Sequence, residues 1–157
     1  MNKTTRVHEA PRTTSHRLGM PVAALLGLAL LAVPRVILHD LHLIEEWAPL
    51  TWVLAILPVL IWSGAAVLVN SPRPFLTVLL IGLIFGVMLV ATHQLMWESA
   101  FRGNPPSVGS GPLRDVIPRI AAVPSGLFTG VAIGAIGGLV AQVAAATRRR
   151  LQDHPAS

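Results

Sequence analysis

Cysteine is absent from the 157 residues. Its absence excludes disulfides, thiolate nucleophiles, thiolate metal sites and thiol–disulfide chemistry, a quinone-linked disulfide oxidase included. Charge is scarce as well. Only 12% of residues are charged, against about 25% in ordinary soluble domains. Lys3 is the single lysine, and the net charge of +5 is mostly arginine. The basic residues have no interleaved aromatics of the kind that a nucleic-acid surface uses, so nucleic acid is not expected as a partner. No phosphate-binding glycine loop sits in a strand–turn–helix context. The middle of each long apolar block holds neither acid nor base, which argues against a small proton-coupled pump with an embedded carboxylate. Serine stands beside glycine at Ser63-Gly64 and Ser125-Gly126, but no histidine lies at matching depth to activate it as a nucleophile.

What the chain does have is apolar length. Apolar residues make up 53% of it, gathered into four uninterrupted blocks. A chain this short could not bury four helices that are apolar on every side. The expected fold is therefore all-α, an integral membrane four-helix bundle with spans near 18–38, 47–69, 75–97 and 119–147. Residues 1–17 read as a disordered basic tail, 18–147 as one membrane domain and 148–157 as a second basic tail.

The first block raises the question of a cleaved signal peptide, since a basic segment precedes it. Ala29 and Ala32 are one residue too far apart for an A-x-A site, and the apolar run continues to Leu38. The block is therefore read as a span. Pro49 suits a first helical turn, and Pro58 sits mid-block, where a kink is expected. Trp47 and Trp52 fit an interface, with Trp62 deeper. The turn 70–74 carries proline on both sides of Arg73 and stops the second helix. The long connection from Glu98 to Arg119 is rich in proline and glycine. Within it, 113–117 can form one amphipathic turn on the membrane surface.

Four spans put both ends of the chain on one side. Eight of the twelve basic residues fall there: Lys3, Arg6, Arg12, Arg17, Arg73, Arg148, Arg149 and Arg150. Five of the seven acids fall on the other: Asp40, Glu45, Glu46, Glu98 and Asp115. The positive-inside rule then predicts cytoplasmic termini, in a cell membrane with the lipid bilayer as principal partner. Arginine outnumbering lysine, with abundant alanine and glycine, points to a bacterial source.

The fourth block contains Gly126, Gly130, Gly134 and Gly138 at a spacing of four, and the third contains Gly82 and Gly86. Such a glycine-lined face lets another backbone approach closely. The mate is either the third span of the same chain or a second copy in a homo-oligomer or larger membrane complex.

Polar residues collect at the outer ends of the first and third spans. If the first helix continues past Leu38, then Arg35, His39, His42 and Glu46 share one face. His93 shares a face with Gly82 and Gly86 and so is expected to point inward. His39, His42 and His93 are candidate ligands for a divalent metal or carriers of protons. A histidine on each of two helices also keeps haem open. Arg35, Glu46 and Glu98 complete the polar cluster as counter-charges. The alternative is interfacial anchoring, with Arg35 snorkelling outward or bonded to Asp40 or a glutamate. The leading expectation is a non-enzymatic structural or accessory membrane component with no resident cofactor. The alternative is a transport or sensing protein that uses the outer cluster.

Overall fold

The computed structural model describes residues 18–45 and 47–153. The proposed basic tail 1–17 and Glu46 lie outside the described residues. Among the described residues the regular structure is all helix, with no strand. Its elements are α1 (Val22–Leu30), α2 (Val33–Asp40), α3 (Pro49–Leu68), α4 (Pro74–Leu95), α5 (Trp97–Ala100) and α6 (Val116–Asp153). Four segments are long and apolar enough to cross a membrane: α1 with α2 as one, then α3, α4 and α6. Large apolar side chains face outward on each of them, among them Leu26, Leu60, Val87 and Phe128.

Proline sets where these helices begin. Pro34, Pro49 and Pro74 each occupy the first turn of α2, α3 and α4, where a missing N–H costs nothing. The first apolar block is consequently two helices meeting at Leu31–Ala32. Pro58 is buried, and α3 runs continuously through it. One device ends three helices. His42, Asn70 and Arg102 have φ of 54°, 51° and 53°, and the next residue's N–H returns five residues to Leu38, Ala66 and Glu98 at 2.9, 3.0 and 2.8 Å. This left-handed stop satisfies carbonyls that the helix leaves open.

The closest packing joins α4 to α6. A methyl placed on Gly82 would fall on the Cα of Gly134 and within 2.5 Å of the Gly130 carbonyl. One on Gly130 would lie 2.5 Å from the Gly82 carbonyl and the Gly86 Cα. Gly126 faces Val90, and Gly138 faces the Phe75 backbone. Backbone thus lies on backbone, which only residues without Cβ allow. Gly137 turns toward α3, where the Ser63 hydroxyl donates to its carbonyl at 2.9 Å.

Sparse polar groups tie the remaining helices together. Trp62 is fully buried and donates through Nε1 to the Leu28 carbonyl at 2.7 Å, joining α3 to α1. Near Leu18, the buried Ser71 and Thr77 hydroxyls both donate to its carbonyl, at 2.9 and 3.0 Å. Arg148 Nη1 donates to the Val67 carbonyl at 3.0 Å, placing a cation at the C-terminal end of α3, where the helix dipole favours one. The arginine run 148–150 belongs to α6, which continues to Asp153. Its 38 residues amount to about 57 Å at ~1.5 Å each, well over the ~30 Å of a hydrocarbon core.

Candidate functional site

A helical stripe carries the site. On α1 and α2 the buried positions are Leu25, Ala29, Ala32, Val36 and Asp40, spaced four, three, four and four apart, so they share one inward face. Four are apolar, and the fifth is a carboxylate at 3% exposure. A carboxylate at a helix C-terminus opposes the dipole, and a buried one needs donors. Two imidazoles supply them. His93 Nδ1 on α4 lies 3.0 Å from Asp40 Oδ2, and His39 Nδ1 lies 3.4 Å from Oδ1. A ring whose proton sits on Nδ1 donates to an ionised carboxylate, which only accepts.

His93 is held from its other side by aromatics. Its ring meets the edges of Trp97 and Phe101 at 5.5 and 5.9 Å. The Arg119 guanidinium lies 5.1 Å over the Trp97 ring and bonds Glu98 at 3.3 Å. Gln94 Nε2 donates to the Arg119 carbonyl at 2.8 Å, clasping α4 to the start of α6. Asp40, His93, Trp97, Arg119 and Glu98 thus form a chain of contacts across α2, α4, α5 and α6.

Beside Asp40 and His93 opens a cavity of about 340 Å³ between α2, α4 and α6. Polar groups reach it from Arg35, His39, Asp40, His93, Ser125 and Thr129; its apolar wall includes Val36, Leu89 and Val90. Arg35 Nε is buried and has no hydrogen-bond partner. A smaller cavity of about 230 Å³ lies on the other side of Arg35 and His39, toward Trp47, Thr51 and Trp52.

The structure therefore gathers Arg35, His39 and His93 at one place. His42 does not join them. The helix ends at Asp40 rather than running on toward Glu46, and His42 takes the left-handed stop and is exposed. The common face expected to run from Arg35 through His39 to His42 breaks there, and Glu46, expected to continue it, lies outside the described residues. Glu98 also stands apart from Asp40, on the exposed ion pair with Arg119. Among the described residues, no three His, Asp or Glu side chains gather as a metal-ligand set.

Asp40 is the residue that sequence reasoning undervalued, because it falls just beyond the span expected at 18–38 and counts there among the outer acids. The signal was present in its register with Val36, Ala32, Ala29 and Leu25. Arg119 and Trp97 carried no comparable signal, since their meeting depends on how the long connection folds back. The chain matches no protein-family model, and comparison with curated proteins and with solved structures finds no match.

Proposed function

We propose that the protein is a non-enzymatic, structural or accessory component of a cell membrane, a four-helix bundle with both termini cytoplasmic. The observation that carries this reading is the α4–α6 seam. Its six glycines are taken up by contact inside one chain, which gives a rigid scaffold with lipid-compatible outer faces. The charge asymmetry supports the orientation. It predicts that a reporter fused after Ser157 is active only in its cytoplasmic form; an externally active reporter refutes the orientation. Cross-linking in native membranes tests the accessory role. A discrete cross-linked species of fixed stoichiometry is expected, either a homo-oligomer or a complex with another membrane protein. A purely monomeric chain contradicts the role.

One observation favours a second reading, a sensing or transport protein that uses the polar pocket. Arg35, His39, Asp40 and His93 converge on a cavity at one end of the helices, and Arg35 Nε is left with an unused donor. A buried unpartnered donor costs on the order of 1–3 kcal/mol, a cost that a ligand accepting from it would remove.

A further inference from the structure

Arg35 is a cation inside an apolar segment with no counter-charge beside it. It precedes the end of the Val22–Asp40 segment by five residues, about 7.5 Å at ~1.5 Å per residue. Its Nε is buried and has no hydrogen-bond partner. None of the ion pairs among the described residues includes it; they belong to His39, His93, Arg114 and Arg119. A charge at such a position is costly, and proteins keep one there for a use. Asp40 does not neutralise it. That carboxylate is 3% exposed, and its two oxygens face imidazole nitrogens at 3.4 and 3.0 Å.

The space beside Arg35 has the form of a groove. α2 and α6 both pack on α4 and touch each other little. The cavity of about 340 Å³ lies between them, with Leu89 and Val90 of α4 among its lining. Ser125, exposed on α6, brings a hydroxyl donor to the same cavity. The Thr129 hydroxyl is already spent on the Ser125 carbonyl at 3.0 Å. We propose that this groove takes a phosphate group, the phosphodiester of a membrane lipid or a free phosphate, with its oxygens on the Arg35 guanidinium. The inference rests on the second reading above, that the pocket is a working site. A planar guanidinium presents parallel N–H groups to two phosphate oxygens at once. The apolar wall of Val36, Leu89 and Val90 suits the start of an acyl chain below the phosphate. The cavity volume falls at the lower end of ordinary small-molecule sites, roughly 300–1,000 Å³, which suits a headgroup and excludes a large cargo.

The test uses the full chain in micelles of a phosphate-free maltoside detergent. Phosphatidylglycerol, phosphatidylcholine or a phosphate-free galactosyl diacylglycerol is titrated in, and retained lipid is counted by native mass spectrometry. Wild type is expected to retain each phosphate lipid over the galactolipid. Arg35→Gln is expected to weaken that retention about tenfold, the worth of a charge-assisted hydrogen bond. Ala122→Trp adds bulk to the cavity from α6 and changes no charge; it is expected to abolish retention. Because it leaves the arginine in place, it separates a groove site from an arginine that only snorkels to the interface, and it serves if Arg35→Gln does not fold. Displacement of the lipid by added inorganic phosphate would support the same chemistry with free phosphate as a source; no displacement would support the lipid. Equal retention of galactolipid and phosphate lipids, lost in Ala122→Trp, overturns the phosphate while leaving a working pocket. Retention unchanged by either substitution overturns both the proposal and the reading beneath it.

Discussion

The α4–α6 seam makes a sharp prediction, because it can be broken by the smallest side chain. In Gly82→Ala the new methyl meets the Gly134 Cα and the Gly130 carbonyl, and in Gly130→Ala it meets the Gly82 carbonyl and the Gly86 Cα at 2.5 Å. Ordinary contact begins at 3.4 Å, so the two helices must part by about 0.9 Å locally. Backbone cannot rotate away as a side chain can. A gap of that size forfeits roughly a quarter to a half of each dispersion contact along the seam. Overpacking of this kind costs about 1–3 kcal/mol, offset by at most ~1 kcal/mol of improved helix propensity. Gly126→Ala should cost less, since its methyl meets the tip of Val90, which can turn. Gly27→Ala and Gly64→Ala supply the control, because nothing lies within 4 Å of either new methyl. They should be neutral or stabilising by up to about 1 kcal/mol. The assay is reversible unfolding of the purified protein in mixed micelles of rising denaturing-detergent fraction, followed by tryptophan fluorescence. The expected order of stability is Gly64→Ala at or above wild type, then Gly126→Ala, then Gly82→Ala and Gly130→Ala. Equal stability of Gly82→Ala and Gly64→Ala would refute the seam.

Two further perturbations test the polar contacts. In a double-mutant cycle, Asp40→Asn and His93→Gln should couple by at least about 0.5–1 kcal/mol, as directly bonded groups do; strict additivity would deny the 3.0 Å contact. Trp62→Phe should destabilise by about 1 kcal/mol by removing the Nε1 donor to Leu28 while keeping most of the ring's packing, and unchanged unfolding would show that the α1–α3 tie contributes nothing.

How far the sequence reached differs from element to element. The four apolar segments were legible because hydrophobic length is a local property, and Pro49 and Pro74 marked helix starts for reasons internal to the residue. The division of the first block at Leu31–Ala32 was less visible, although Pro34 announced it. His42 shows the opposite case. Its helical spacing from His39 was correct on paper, but the chain used that position for a left-handed stop that more often falls to glycine or asparagine, as it does at Asn70.

The sequence by itself determined the class of solvent this chain is suited to. Four long apolar segments fix that through composition, because side-chain transfer energies add up along a helix regardless of what it packs against. It also determined which faces could approach closely, since only glycine leaves room for another backbone. The tertiary structure alone decided which faces met. Gly82 and Gly86 on α4 lie against Gly126, Gly130 and Gly134 on α6, and Asp40 on α2 reaches His93 on α4, 53 residues away. Those pairings depend on relative helix rotation. A turn of ~100° per residue, implied by 3.6 residues per turn, moves a side chain from a neighbouring helix to lipid, and no local propensity records it. Asp40 is the clearest instance. Its charge marked it for water, whereas its register with Val36 and Ala29 placed it inside, where the imidazoles of His39 and His93 stand against it.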